Sequence, residues 1–288
     1  MHIKTYQSAA AFLDQTQKWL EQEEAVNSLM LGLAFRLQRR PNPSEPLYLL
    51  TVELDGRLHL AAVMTPPYNI VLSGRVDEAE LTILPLIESL WDKKWPVPGV
   101  LGPKELAALF THHWVAGAGG SYRLVRQERV HQLRQVLVPP SKQGVLRRAT
   151  ATEFETVLDW VYAFQEEALG ERSSASAREA TREQIQSRLA GDAVYLWDDG
   201  RPVSLAMKLR PTRHGISVSY VYTPPELRRR GYATACVAEL SRLLLASGFA
   251  FCSLFTDLAN PTSNHIYREI GYRPVADFDE YHFLGESG

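Results

Sequence analysis

The chain has 288 residues, 45% of them hydrophobic, which is ample for packed cores and excludes a disordered chain. Its 31 basic and 33 acidic side chains leave a net charge of −2 and a pI near 6.5, so no overall field directs it to nucleic acid or to an anionic membrane. No apolar run approaches the roughly 18 residues that cross a bilayer, MHIKTYQSAAAFLDQ lacks the apolar core of a signal peptide, and the reading is a cytoplasmic protein without a membrane partner.

Residues 9–39 carry apolar side chains at Phe12, Leu13, Trp19, Leu20, Val26, Leu29 and Leu33 and predict a helix, which RRPNPSEP (39–46) ends. LYLLTVEL and LHLAAVMT flank Asp55-Gly56, a strong hairpin signal, and YNIVLSG offers a third strand after Pro66-Pro67. Residues 77–92 and 103–115 read as helices, 121–136 as extended, and VPPSKQG (138–144) as a linker. The adjacent His112 and His113 cannot face one ligand position on a helix and read as surface residues, so no metal is expected. Cys236 and Cys252, the only cysteines, have no metal-ligand spacing and read as core residues.

The grammar then repeats. LRRATATEFETVLDWVYAFQEEAL predicts an amphipathic helix capped by Thr150 or Thr152, with Phe154, Val157, Trp160, Val161 and Phe164 on its apolar side. A polar helix over about 175–189 follows, and AVYLWDDGRPVSLAMKLR forms a second hairpin around Asp199-Gly200. Asp55-Gly56-Arg57 matches Asp199-Gly200-Arg201, Leu60 to Ala62 fall on Ser204 to Ala206, and Pro67 meets Pro211. Tyr122, Arg123 and Val125 match Tyr272, Arg273 and Val275 at nearly the same offset. The constant order predicts two copies of one fold, divided into 1–140 and 141–288.

The second copy carries the chemistry. GISVSYVYT (215–223) is a strand stopped by Pro224 and Pro225, and GYATACVAELSRLLLAS places Ala233, Val237, Leu240 and Leu244 on one helical face. Residues 228–234 therefore sit at a helix start, where unpaired N–H groups and the helix dipole favour an anion. Gly231 lets a phosphate approach the backbone and Ala233 keeps the next position small. A solvated basic turn and a nucleic-acid patch are the competing readings of Arg228, Arg229 and Arg230, the latter weakened by the lack of further basic clusters. No GxxxxGK[ST] occurs, which disfavours a nucleotide triphosphatase. Downstream, FAFCSLFTD (249–257) reads as a buried strand, and NPTSNHIYREIGYRPV (260–275) as a helix N-capped by Asn260, with Pro261 at its first position, closed by Gly271.

Arg228, Gly231 and Ala233 as R-x-x-G-x-A, followed by Asn260, Ser263, Tyr267, Gly271 and Tyr272 as N-x-x-S-x-x-x-Y-x-x-x-G-Y, resemble the GNAT superfamily of acetyl-CoA-dependent N-acetyltransferases. The resemblance covers roughly 145–288, and the whole chain is similar to tandem proteins whose first half is a worn copy. It implies an α/β fold of two tandem GNAT-like domains, each a mixed, mostly antiparallel sheet flanked by helices. It implies acetyl-CoA as co-substrate, its pyrophosphate on the backbone of Arg228, Arg229, Arg230, Gly231, Tyr232, Ala233 and Thr234. Its pantetheine arm would lie along Val221, Tyr222 and Thr223, with Asn260, Ser263 and Asn264 on the other side. Tyr267, two helical turns beyond Asn260 and on the same face, would protonate the leaving thiolate. Many relatives carry a glutamate base on the central strand, but GISVSYVYT holds no acid. Glu166, Glu167 and Asp257 are the candidates, unless the amine arrives deprotonated. The first copy has Arg75, Val76, Asp77 and Glu78 where the coenzyme motif should follow YNIVLSG, and is expected to bind no coenzyme. The expected activity is N-acetyl transfer to a small-molecule or peptide amine, with an acetyl-CoA-binding sensor or scaffold as the alternative; the oligomeric state is left open.

Overall fold

The computed structural model describes residues 1–39, 46–138, 143–170 and 174–284. Most of RRPNPSEP (residues 40–45) and the middle of the expected linker (residues 139–142) lie outside the described residues. In chain order the first half contains β1 (His2–Thr5), α1 (Ala9–Leu20), α2 (Ser28–Gln38), β2 (Tyr48–Leu54), β3 (Arg57–Met64), β4 (Ile70–Gly74), α3 (Ala79–Asp92), β5 (Gly99–Pro103), α4 (Lys104–Ala118) and β6 (Ser121–Leu133). The second half repeats that order with β7 (Val145–Arg148), α5 (Phe154–Leu169), α6 (Ala175–Ala190), β8 (Val194–Asp198), β9 (Pro202–Leu209), β10 (Gly215–Tyr222), α7 (Tyr232–Ala246), β11 (Phe251–Asp257), α8 (Pro261–Ile270) and β12 (Arg273–Leu284). The same element types recur in the same order, so the duplication seen in a few residue matches is a duplication of fold.

The chain forms two compact units that interleave in sequence: Met1–Val130 with Thr256–Ala259 and the chain from Pro274 on, and His131–Phe255 with Asn260–Arg273. The strand order in the first unit is β1-β2-β3-β4-β5-β12-β6. Neighbours from β1 to β4 are antiparallel, β4 and β5 are parallel, and β12 is antiparallel to β5 through pairs from Phe278↔Pro103 to His282↔Gly99. The last strand of the second half thus lies between two strands of the first. Its buried carboxylates are matched there: Glu280 accepts from Arg126 Nε (2.8 Å) and Asn69 Nδ2 (2.8 Å), and Asp279 accepts from the Tyr281 hydroxyl (3.2 Å) and Gln127 Nε2 (3.3 Å). Alternate residues of β2 and β3 pack against opposite helical layers. Leu50, Val52, Leu60 and Ala62 face α3 and α4, while Leu49, Ala61 and Val63 face α1 and α2.

The sequence predicts one helix over 9–39; the structure has two, joined by a 3₁₀ turn at Glu21–Glu23. Asn27 explains the break. Its amide donates to the Leu20 carbonyl (2.9 Å) at the end of α1, and its own carbonyl accepts from Ser73 Oγ (2.6 Å) on β4. A buried polar side chain satisfied this way fixes the chain where helical continuation would leave it unpaired. β5 went unread because GVLGP has no alternating pattern. Its glycines exist for packing: a Cβ on Gly99 would overlap the Tyr281 carbonyl, and one on Gly102 would meet Leu72 Cβ at 3.0 Å. The Asp55-Gly56 hairpin forms as predicted, with φ of 50° and 73° at its two turn residues, the positive values a tight two-residue turn requires.

The second unit orders β11-β10-β9-β8-β7, with the end of β6 beside β11. α7 and α8 cover one face, burying Trp197, Ile216, Val237 and Leu240, and α5 and α6 cover the other over Leu196, Leu205 and Met207. Thr150, not Thr152, caps the start of this half in a capping box with Glu153. Glu153 also receives Arg147 (Nη2 to Oε1, 2.6 Å), whose Nε donates to Asp198 (2.8 Å), so one arginine ties β7, the helix start and β8 together.

Arg147, opposed in part by burial and helped by Thr150, holds the Glu153 carboxyl down at about 2 from its usual 4.5. A carboxyl depressed on folding adds stability that is full above its unfolded value and lost as pH falls toward its folded one. Arg147→Gln is therefore expected to lower stability at pH 7 and to flatten the decline between pH 4.5 and 2. Denaturant midpoints measured against pH check this, and an unchanged slope refutes it.

Candidate active site

β10 and β11 run parallel for only three residue pairs, Gly215↔Phe251, Ile216↔Cys252 and Ser217↔Ser253. The Ser217 and Ser253 hydroxyls, 2.9 Å apart, close that ladder. β10 continues beyond it, and its register against β9 slips: Ser219 pairs with Met207 but Tyr222 pairs with Leu205. Tyr220 and Val221 together oppose one residue, which is a β-bulge, and Tyr220 takes a φ of 52°. A bulky residue is strained there and must be held from outside. The Phe164 ring packs 5.2 Å from it, and the Arg188 guanidinium sits 4.6 Å over its face. The bulge redirects the end of β10 past the last β11 pair, leaving Val221 part-exposed.

Pro224 and a 3₁₀ turn, Pro225–Leu227, follow, with Leu227 anchored in the core. Arg228 is extended, Arg229 has φ 63°, and Gly231 has φ 79° and ψ 3° before α7 begins. The first backbone bond into α7 runs from the Ala235 N–H to the Gly231 carbonyl (2.9 Å). Among the described residues, the N–H groups from Arg229 to Thr234 have no backbone acceptor. They crown the positive end of a fifteen-residue helix. A Cβ placed on Gly231 would find nothing within 4 Å, so no packed neighbour covers that residue. Open donors, a helix start and three arginines fit a phosphorylated ligand. Tyr232, first in α7, donates to Asp199 Oδ2 (2.7 Å) and fixes the β8–β9 turn beside it.

Arg228 has definite partners. Its Nε donates to the Thr223 carbonyl (2.9 Å), its Nη2 lies 2.6 Å from Glu167 Oε2, and its guanidinium stands 5.6 Å over the Tyr222 ring. The Tyr222 hydroxyl donates to the other Glu167 oxygen (3.1 Å). Burial first, then the Glu167 charge, raise the Tyr222 phenol above its usual value and keep it a donor. The Thr223 hydroxyl pairs with Ser204 (2.9 Å), which also bonds the Tyr222 carbonyl (3.1 Å). Neither Ser204 nor Tyr220 was anticipated, because nothing local in the sequence marks a bulge or the residue that braces it.

In α8 the Asn260 carbonyl oxygen caps the Ser263 N–H (3.1 Å), and Asn264 Nδ2 donates back to the Asn260 backbone (2.9 Å). These side chains build the helix start. Tyr267 is 8% exposed, with its ring edge-on to Tyr272 at 5.9 Å, and its hydroxyl has no hydrogen-bond partner among the described residues. Burial, and to a lesser degree Cys236, raise its pKa well above 10, so it is protonated at every physiological pH. Cys236 and Cys252 are each pushed up to about 12 by burial. They stay thiols, which removes them as nucleophiles.

Of the three acids considered, Glu167 meets Arg228 and Tyr222 at the strand end. Asp257 accepts the Ala259 N–H (2.7 Å), and Glu166, like Glu167, is exposed. Among the described residues no group of three His, Cys, Asp or Glu side chains could hold a metal ion, and no helix is long and apolar enough to cross a membrane. In the first unit β4 and β5 pair at Ile70↔Val100 and Val71↔Leu101, and Leu72 packs against the position of Gly102. Acids occupy the corresponding helix start, where Asp77 pairs with Arg75 (3.4 Å), Glu78 with His59, and Glu80 with His113 (3.0 Å).

Residues 155–272 match the family model for the acetyltransferase (GNAT) family. Among curated proteins, none matches the chain. Solved structures do: a Drosophila protein at 12% identity (TM-score 0.65, 99% of each chain), and a GCN5-related N-acetyltransferase from Sphaerobacter thermophilus at 15% (TM-score 0.62, 98% of this chain and 96% of that one). A tandem GNAT protein from the clavulanic acid biosynthesis pathway aligns over 100% of both chains at 12% identity, with a TM-score of 0.51. At these identities the likeness is one of fold, and it extends over both halves.

Because the Tyr267 hydroxyl bonds to no described residue, Tyr267→Phe should leave the fold intact, with stability within about 0.5 kcal/mol of the parent. Chemical denaturation measures this. A loss several times larger would mean that the hydroxyl is a structural group.

Proposed function

We propose that the chain, whose residues 155–272 match the acetyltransferase (GNAT) family model and whose fold is that of tandem GNAT proteins, transfers an acetyl group from acetyl-CoA to a primary amine by direct attack in a ternary complex. The observation that carries this reading is the run of acceptor-free N–H groups from Arg229 to Thr234, where no packed neighbour covers Gly231, next to a strand that outruns its ladder. Acetyl-CoA would bring the activated acyl group as a thioester. The N–H groups of Arg229 to Thr234 hold the diphosphate, and β10 from Val218 to Thr223 offers its edge to the extended arm as an added strand would. As the amine nitrogen bonds to the acyl carbon and the carbon–sulfur bond breaks, Tyr267 gives its hydroxyl proton to the departing thiolate. Burial keeps the phenol protonated before the step while making it a weaker acid than a free tyrosine. Glu167 is the acid placed to take the amine proton, and the first copy, with acids at its helix start, leaves the coenzyme to the second.

An acetyl-CoA sensor without turnover is the second reading, favoured by the absence of an acid on β10. Free-thiol release from acetyl-CoA across a panel of amines separates the two: release with any amine supports transfer, and binding without release supports the sensor.

Gly231→Glu, which sets a side chain and a negative charge over the N–H groups, is expected to weaken coenzyme A binding at least about tenfold by calorimetry; unchanged affinity would show the cradle to be elsewhere. Tyr267→Phe is expected to lower kcat about a hundredfold while coenzyme affinity holds, and equal turnover would remove Tyr267 as the acid.

A further inference from the structure

Two anions have a claim on Arg228. Glu167 holds it at 2.6 Å, while Thr223 fixes its Nε at 2.9 Å and Tyr222 holds the second Glu167 oxygen at 3.1 Å. The carboxylate is therefore used at both oxygens, and the guanidinium is aimed from the end of β10. Both side chains remain part-exposed, at 43% and 44%, and ion pairs in that setting add little to stability. Fold stability is a poor explanation for so closely matched a pair. Its location is a better one, because Arg228 opens the turn whose next residues present the free N–H groups.

A diphosphate carries more charge and more acceptor oxygens than a carboxylate and is additionally bound by those N–H groups, so it is the stronger partner for the same guanidinium. We propose that Glu167 is the resident anion of the coenzyme site: it occupies Arg228 until the coenzyme's diphosphate takes the guanidinium, and is then released as an unpaired carboxylate kept in position by Tyr222. This rests on the coenzyme reading above. Glu167 thereby opposes coenzyme binding, since its pair with Arg228 must be broken first.

Calorimetry with coenzyme A on the full chain tests this in the parent, Glu167→Gln, Arg228→Gln and the double variant. Glutamine keeps an oxygen for the Tyr222 hydroxyl, so the local fold is retained. The expected result is coenzyme A bound about two- to fivefold more tightly by Glu167→Gln, more weakly by Arg228→Gln, and no gain from Glu167→Gln when Arg228 is already replaced. Equal or weaker binding by Glu167→Gln overturns the exchange. So does an equal gain in both backgrounds, which would mean that the carboxylate acts by general repulsion. No binding by the parent is a different failure: it overturns the coenzyme reading itself, and this proposal with it.

Discussion

The candidate site depends on where β10 and β11 part. Parallel strands are ordinarily buried and paired along their length, and an unpaired backbone edge inside a protein is costly unless something satisfies it. Here pairing stops at Ser217 and Ser253, and β10 runs on toward Thr223 with a bulge and a tyrosine at φ 52°. Everything else in the site serves that departure. Phe164 and Arg188 hold Tyr220, Ser204 holds the strand end through Tyr222 and Thr223, and Arg228 takes the last carbonyl. In the first copy Leu72 packs against the position of Gly102.

Electrostatics divides the two copies as sharply as sterics. One helix start carries arginines and uncovered N–H groups, and the other carries Asp77, Glu78 and Glu80 paired with Arg75, His59 and His113. Carboxylates near the start of a helix are favourable for that helix. The first copy thus carries paired carboxylates at the helix end where the second carries arginines and uncovered N–H groups, a difference that lies in a few residues.

Much of this was legible in the sequence where local chemistry decides local structure. Asp55-Gly56 specified a hairpin, and Asn260-Pro261 specified a helix start. What could not be read was decided at a distance. The break between α1 and α2 depends on a hydroxyl of β4 reaching Asn27, β5 is a strand because its glycines fit against β12 and β4, and Glu167 acquires meaning only when the end of a helix meets an arginine far along the chain. The Asn260 and Asn264 side chains take part in the start of α8.

β12 completes the first unit from the far end of the chain, lying between β5 and β6 with Asp279 and Glu280 buried among their partners. In the order of synthesis, β5 emerges with one edge unfilled and keeps it until almost the whole second half has been made. Long-range pairing of this kind folds slowly and leaves an exposed edge in the meantime. A piece ending near residue 140 would carry its own helices and hairpin yet lack a strand of its own sheet. The duplicated halves are therefore separable as patterns of sequence, while the compact units interleave along the chain.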